Sequence, residues 1–260
     1  MFRFLRIAIL LTVLIVVAGN QWLTGSRMSS WEKPLWISIY PVLVDTEADI
    51  RAYAEGLEAD SFQDIGLFLK QQASRYGREL ETPVIVQVAR PLTVLPPAIP
   101  AESTGFNVAL WSLKMRWWSW RNGAQDGLTA DDVKMFVLYQ KAKPFEALER
   151  SVGIKNGSYG VVNAVASRQM AARNRIIITH ELLHILSASD KYDLSTGQPS
   201  VPEGLASPGQ SPLYPQKHAE IMAGRIATSA NNWRRPANLR SCEVGAVTAR
   251  EIGWLKKPTQ

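Results

Sequence analysis

The chain has 260 residues, a length that accommodates one compact domain with a sizeable hydrophobic core. Hydrophobic residues make up 46% of it and charged residues 20%, and Gly and Pro occur without a period, which excludes disordered, collagen-like and low-complexity chains. The single cysteine, Cys242, excludes an intrachain disulfide and Cys-rich zinc modules, and we expect it to be a buried or bystander thiol. The net charge of +6 is spread along the chain, so no nucleic-acid partner is predicted.

Residues 1–23 have the pattern of a secretory signal peptide or an N-terminal membrane anchor. Arg3 and Arg6 precede an apolar run over residues 7–19. A helix of that length covers only about 20 Å of the roughly 30 Å hydrocarbon layer, although flanking apolar residues extend it. Both a cleaved signal and a retained transmembrane anchor therefore remain open.

Features just after the apolar run bear on these two alternatives. Small side chains at Val17 and Gly19 favour cleavage after Gly19, whereas Trp22, a residue typical of membrane interfaces, favours a retained anchor. In either case the positive-inside rule predicts that the folded domain, residues 31–260, lies outside the cytoplasm, on the periplasmic or cell-surface side.

The remaining chain alternates predicted strands and helices. In chain order these are a strand at residues 35–40 that Pro41 ends, helices beginning near Thr46 and Ser61, a strand at 83–89, a prolyl loop at 91–100 and a helix at 106–121. Then come strands at 133–139 and 161–166, a helix at 175–187, an irregular segment at 189–218 and a final helix beginning at Thr248. Capping boxes are predicted at three helix starts, by Thr46 with Asp49, Ser61 with Asp64 and Thr248 with Glu251.

One motif in the second half carries recognisable chemistry. Residues 180–184 read His-Glu-Leu-Leu-His, the HExxH pattern. Histidines four residues apart lie on one helix face, so His180 and His184 can reach a single zinc ion. Glu181, beside the first histidine, is placed to act as general base on a water molecule that the metal activates.

A catalytic zinc site needs a third protein ligand and an open position for water. Asp190 lies six residues beyond His184, and a sharp turn after the helix would return its carboxylate to the metal. Glu203 or Glu220 would be a remote carboxylate ligand, and His218 would complete a set of three histidines.

Residues 179–190 resemble the long zinc motif of the metzincin clan of metallopeptidases, HExxHxxGxxH, or HExxHxxGxxD in snapalysin-like members. The segment 220–224, Glu-Ile-Met-Ala-Gly, resembles the methionine turn that lies beneath the metal in this clan, with Met222 as its methionine. The resemblance implies a zinc endopeptidase with ligands His180, His184 and Asp190.

The resemblance also implies an architecture. The fold class is α+β, metzincin-like, with a mixed twisted sheet and helices in an upper lobe and the zinc helix at the cleft. The lower lobe would be irregular and rich in loops, with a C-terminal helix. Residues 161–166 would form the edge strand that pairs with an extended peptide or protein substrate, and the protein would act as a monomer.

Ser187 departs from the clan pattern, which has Gly at this position. Glycine tolerates the left-handed conformation that lets a chain leave a helix abruptly, and another residue costs on the order of 1 kcal/mol there. The departure makes Asp193, three residues beyond Asp190, an alternative ligand or a hydrogen-bond acceptor for a ligating histidine.

The sequence supports a second class of function beside hydrolysis. An exported, non-catalytic protein would keep zinc for stability, or would associate with a membrane through the predicted helix at 106–121. That helix is rich in tryptophan and cations, a composition seen at membrane interfaces. Trp111, Met115 and Trp118 share one of its faces, and we expect them to pack in the core.

Overall fold

The structure is a computed structural model that describes residues 27–100, 104–123, 125, 127–129, 131–142, 151–154 and 158–256. The predicted signal or anchor at residues 1–23 lies outside these residues. Within the described part of the chain, no helix is both long enough and apolar enough to cross a bilayer.

A five-stranded mixed sheet forms the centre of the molecule. Its strands are β1 (Leu35–Leu43), β2 (Val84–Val88), β3 (Val133–Gln140), β4 (Val152–Ile154) and β5 (Tyr159–Val165). They lie in the order β2-β1-β3-β5-β4. The first four strands of that order are parallel, and β4 pairs with β5 in the antiparallel direction.

Four helices accompany the sheet, and a largely irregular region follows it. The helices are α1 (Ala48–Glu55), α2 (Gln63–Ser74), α3 (Gly105–Gly123) and α4 (Ala171–Ile185). Beyond α4 the regular elements are short: β6 (Ala219–Glu220), β7 (Ile226–Ala227), β8 (Trp233–Arg234), β9 (Cys242–Glu243) and the C-terminal helix α5 (Ala246–Glu251). The predicted α+β class, with a loop-rich second half and a final helix, is confirmed.

The two faces of the sheet are covered by different helices. Alternate residues of a strand point to opposite faces. Ile37 and Val137 therefore pack with α1, α2 and α4 on one face, while Phe136 packs with α3 on the other. Buried α3 residues complete the second core (Trp111, Met115 and Trp118), as predicted. The prediction for Cys242 is also confirmed, since only 2% of this residue is exposed.

The prediction that Pro41 ends the first strand is wrong. β1 continues through it to Leu43. β2 ends at Val88, opposite Ile39, so no residue of β2 faces Pro41. The Leu92 N–H then donates to the Pro41 carbonyl at 2.8 Å. Because the neighbouring strand has already ended, the missing amide hydrogen of proline removes no hydrogen bond from the β1–β2 ladder.

The three predicted capping boxes are also wrong. The residue that precedes α1 is Glu47, and no side chain caps this helix. The Ser61 hydroxyl instead accepts the Glu58 N–H in a 3-10 turn before α2. Thr248 lies inside α5, and its hydroxyl donates to the buried Glu220 carboxylate at 2.7 Å. Tertiary contacts therefore use polar groups that the local pattern assigned to helix starts.

The edge position expected for residues 161–166 belongs to β4. This short strand pairs with the first half of β5. Beyond it, the Asn163 N–H donates to the Ser151 Oγ at 3.1 Å, and the Val165 carbonyl accepts the Asn174 side-chain amide at 2.8 Å. Most N–H and C=O groups on the side of β5 that faces away from β3 therefore already have hydrogen-bond partners. This is expected, since an unpaired buried N–H or C=O is costly.

Candidate metal site

Helix α4 places two histidines at the same surface. Its apolar side packs against the sheet, and the Ile185 side chain lies over Gly160 of β5, where a Cβ would be 3.5 Å from it, an ordinary contact distance. His180 and His184 are one turn apart and mostly buried, with 15% and 18% of their side chains exposed. Their ring centroids lie 4.6 Å apart. Both imidazoles therefore face one small volume.

The chain leaves α4 through a left-handed residue. Ser187 has φ of 87°, the left-handed conformation that glycine adopts most readily. The Ser187 N–H donates to the His184 carbonyl at 3.0 Å, and the Ala188 N–H to the Leu183 carbonyl at 2.9 Å. These two bonds form a Schellman motif, the usual way to end a helix with a sharp turn. The turn brings Asp190 back beside the histidines despite the absence of glycine.

Backbone carbonyls fix the orientation of both imidazole rings. The Nδ1 of His180 lies 3.0 Å from the Ile221 carbonyl, and the Nδ1 of His184 lies 2.8 Å from the Ala188 carbonyl. A carbonyl oxygen only accepts, so each Nδ1 carries the hydrogen and donates it. In the neutral ring each Nε2 consequently presents a lone pair to the shared volume, as a metal-ligating histidine does.

The Asp190 carboxylate completes a three-cornered set of donors. The two Nε2 atoms are 3.0 Å apart, and the Asp190 Oδ1 lies 3.2 Å from each. A tetrahedral ion with ligand bonds of 2.0 to 2.2 Å separates its ligands by about 3.3 to 3.6 Å, so a small outward shift of these three atoms gives metal-ligand spacing. Among the described residues, this is the one cluster of three such side chains that could hold an ion.

The electrostatics of the cluster favour a cation. Burial lowers the pKa of His180, but its hydrogen bond with Asp190 and the charge of Glu181 outweigh burial and raise the pKa above the ordinary 6.5. For Asp190 the effects are reversed. Burial raises the pKa of this carboxyl, but its hydrogen bonds with the two histidines outweigh burial and hold the pKa below the ordinary 3.8. Two lone pairs and an anionic oxygen converge favourably only around a proton or a metal ion.

Glu181 lies next to this cluster and is 5% exposed. It follows His180 on α4, and its charge acts on the pKa of that histidine. A buried carboxylate close to a metal is the arrangement that proton transfer from water requires. The structure therefore places the predicted general base beside the predicted ligands.

The turn at residues 221–224 packs against the cluster and holds two of the segments that form it. Met222 is fully buried, and its carbonyl accepts the Lys191 N–H at 3.1 Å. The preceding carbonyl, that of Ile221, holds His180. Gly224 has φ of 64° and closes the turn with a hydrogen bond from its N–H to the Glu220 carbonyl. The segment with Met222 thus contacts both helix α4 and the residue after Asp190.

Glu220, the possible remote ligand, lies outside the cluster. Its carboxylate accepts hydrogen bonds from the N–H groups of Met222, Ala223 and Gly245 and from the Thr248 hydroxyl. Burial raises the pKa of Glu220, and these four hydrogen bonds oppose that increase. It serves as a buried acceptor that joins β6, the turn and α5.

A second carboxylate, which sequence reasoning missed at this position, holds the segment that carries Asp190. Glu251 of α5 accepts the Ser189 N–H at 3.0 Å and the Lys191 ammonium at 2.9 and 3.0 Å. Lys191 is 2% exposed. The isolated Asp190-Lys191 pair in the sequence carries no signal of this contact, because its partner lies about 60 residues away in the chain.

The other alternative ligands are engaged elsewhere. Asp193 accepts the N–H and hydroxyl groups of Ser195 and Thr196 in a turn, and these hydrogen bonds lower its pKa to about 2. His218 is paired with Glu243 at 3.1 Å. Neither these residues nor the exposed Glu203 contributes to the cluster.

No protein-family model and no curated protein matches the chain. Wild-type OgpA from Akkermansia muciniphila is a similar solved structure, with 12% identity and a TM-score of 0.40 over 88% of this chain and 63% of that one. Catalytically inactive OgpA in complex with an O-glycopeptide substrate gives 11% identity, a TM-score of 0.36 and the same two coverages. A chaperone–substrate complex is another similar solved structure, with 10% identity and a TM-score of 0.38 over 85% of this chain and 34% of that one. The chain thus spans about 63% of the length of OgpA.

Proposed function

We propose that the chain is a zinc-dependent endopeptidase of the metzincin type, with ligands His180, His184 and Asp190 and general base Glu181. The observation that carries the proposal is the convergence of two Nε2 atoms and one carboxylate oxygen at ligand spacing beside a buried glutamate. Two nitrogens and one oxygen, with a further position for water, form a donor set typical of catalytic zinc.

The residues divide the work of hydrolysis among them. A bound zinc ion supplies Lewis acidity, which lowers the pKa of water and polarises a carbonyl group. Glu181 accepts a proton as the water oxygen forms its bond to the peptide carbon, and then donates that proton to the amine as the C–N bond breaks. The Ile221 and Ala188 carbonyls keep the two imidazoles in the ligating tautomer throughout.

The same proposal gives Met222 the role of the methionine turn. Its buried side chain and the hydrogen bonds of its turn would keep the floor of the site rigid. An extended peptide would pair with the outer side of β4, which among the described residues is the edge of the sheet nearest α4, because an edge strand is the usual site for adding a further strand. We further propose a monomer outside the cytoplasm, secreted or tethered by residues 1–23.

Replacing the general base tests the catalytic assignment. In the purified full chain, Glu181→Gln should keep one zinc per chain by elemental analysis, because no ligand is lost, and should lower peptide hydrolysis by about 100-fold or more. Activity is measured on a peptide library with and without a chelator. Asp193→Asn is the control and should retain activity. Equal hydrolysis before and after Glu181→Gln would overturn the assignment.

Removing the third ligand tests the metal set. Asp190→Ala should lower zinc affinity by more than about 100-fold, since loss of a direct ligand costs more than loss of a supporting contact. Competition with a zinc-binding dye measures this constant. Bound zinc without hydrolysis in the unaltered chain would instead favour the alternative of an exported zinc-stabilised binding protein.

A further inference from the structure

An apolar stripe runs along the solvent side of α3. It consists of large hydrophobic residues that are 42 to 75% exposed, namely Leu110, Leu113, Trp117 and Trp120. Their spacing of three and four residues puts them on one face, opposite the buried face described above. Two exposed tryptophans at adjacent turns of a helix are unusual, because soluble proteins rarely expose contiguous apolar residues. Where such a patch occurs, it marks an interaction surface.

Cations line both sides of this stripe. Successive helix positions are about 100° apart, which places Lys114 and Arg121 on one flank and Arg116 on the other. The Arg121 guanidinium lies 5.7 Å from the ring centroid of Trp117. Residues 105–123 contain no acidic residue. The charged residues of α3 are therefore all cationic, which favours an anionic occupant.

We propose that α3 is a docking surface for an anionic lipid bilayer, with the helix lying parallel to the membrane. Tryptophan prefers the interfacial layer, where the ring is buried and its N–H stays hydrated, and Lys and Arg beside it attract anionic headgroups. A protein partner would have to match a stripe without one acidic group, whereas a surface of phosphatidylglycerol matches it everywhere.

The fold makes this docking compatible with an accessible metal site. α3 packs on the face of the sheet formed by Tyr40 and Phe136, and α4 packs on the opposite face. A membrane under α3 therefore lies on the far side of the sheet from the cluster at His180. The docking surface does not depend on the proposed hydrolase activity.

Two matched labels on the full chain test the proposal. Leu113→Cys places a nitrobenzoxadiazole label in the stripe, and Leu67→Cys places it on α2, on the opposite face of the sheet. The two leucines are 65% and 63% exposed. Cys242 stays unlabelled near neutral pH, because burial raises its pKa to about 12. The protein is reconstituted in vesicles of phosphatidylcholine with or without phosphatidylglycerol, each containing spin-labelled lipid.

The label at position 113 should be quenched by the lipid and shifted to the blue in vesicles with phosphatidylglycerol, and the label at position 67 should not. Neutralising Lys114, Arg116 and Arg121 to Gln should lower the ratio of docked to free helix by about 100-fold, since each cation contributes roughly fivefold at an anionic surface. Equal quenching at both positions, or none at position 113, would overturn the proposal.

Two further outcomes would also overturn it. Docking that survives the triple neutralisation unchanged would exclude recognition of anionic lipid. A blue shift at position 113 that needs no lipid and grows with protein concentration would mean that a second copy of the chain covers the stripe.

Discussion

Ser187 is the residue on which the geometry of the cluster depends most directly. It occupies the left-handed region with φ of 87°, where a side chain costs about 1 to 2 kcal/mol. The Schellman hydrogen bonds around it are formed nonetheless. The surrounding structure thus imposes a conformation that serine itself disfavours. As a result, the chain turns back and places Asp190 beside His184.

This conformation predicts that Ser187→Gly stabilises the protein. Relief of the strain, less the greater flexibility of glycine in the unfolded chain, should raise the free energy of unfolding by up to about 1 kcal/mol. Urea denaturation of the metal-free protein measures the change. Ala188→Gly is the matched control: its φ is not positive, so glycine there should lower stability. A loss of stability in Ser187→Gly would contradict the strain argument.

At the scale of elements, α5 holds the segment that follows α4. Glu251 joins this helix to Ser189 and Lys191, the two neighbours of Asp190. The contact is partly buried, and the Lys191 ammonium is almost fully so. Loss of an acceptor leaves a buried cation poorly paired, which costs far more than the loss of a surface ion pair.

Glu251→Gln should therefore lower the free energy of unfolding by about 1 to 2 kcal/mol at neutral pH and zinc affinity by up to about tenfold. Thermal unfolding and dye competition measure the two effects. Glu47→Gln removes the exposed pair with Lys141 and is the control, expected to change little. Equal effects of both substitutions would mean that burial of Lys191 is unimportant.

The same contact predicts a direction with pH. Burial raises the pKa of Glu251, but its hydrogen bonds with Lys191 and Ser189 outweigh burial and hold the pKa below the ordinary 4.5. A carboxylate with a lowered pKa stabilises the fold fully above its unfolded pKa and loses that contribution as the pH falls. The difference in Tm between the unaltered chain and Glu251→Gln should thus be largest near neutral pH and shrink below about pH 4.5.

At the scale of the whole molecule, the cluster of His180, His184 and Asp190 links α4 to the loop-rich half. His180 contacts Ile221, and the chain beside Asp190 contacts Met222 and α5. An ion that binds only this assembled arrangement stabilises the entire folded state by mass action.

Zinc at about 100 times its dissociation constant should therefore raise stability by about 2.7 kcal/mol, a shift in Tm of about 5 to 10 °C. A chelator should reverse the shift, as followed by differential scanning fluorimetry. His184→Ala should abolish it, and His218→Ala, whose histidine lies outside the cluster, should keep it. Loss of the shift in His218→Ala alone would contradict the ligand set.

Local sequence pattern predicts most of the strands and helices. The wrong predictions occur where tertiary contacts override that pattern. The strand at residues 133–139 and the buried face of Trp111, Met115 and Trp118 need only alternation or helical spacing to be found. The strand end predicted at Pro41 is wrong because a proline disrupts a sheet only where a neighbouring strand needs its N–H, and β2 has already ended there. Thr248 misled because the acceptor for its hydroxyl, Glu220, is distant in the chain.

The sequence by itself determined that His180, Glu181 and His184 lie on one helix with both imidazoles on the same face, because helical spacing is a property of adjacent turns. Only the tertiary structure decided which acid joins them. Asp190, Asp193 and Glu220 were all possible carboxylate ligands by sequence, and they differ in their partners. Ser195 and Thr196 of its own turn engage Asp193, Gly245 and Thr248 engage Glu220, and Asp190 faces the histidines. The contacts of Glu220 with α5, and those of Glu251 with the neighbours of Asp190, join residues 25 to 62 positions apart, so local spacing does not encode them.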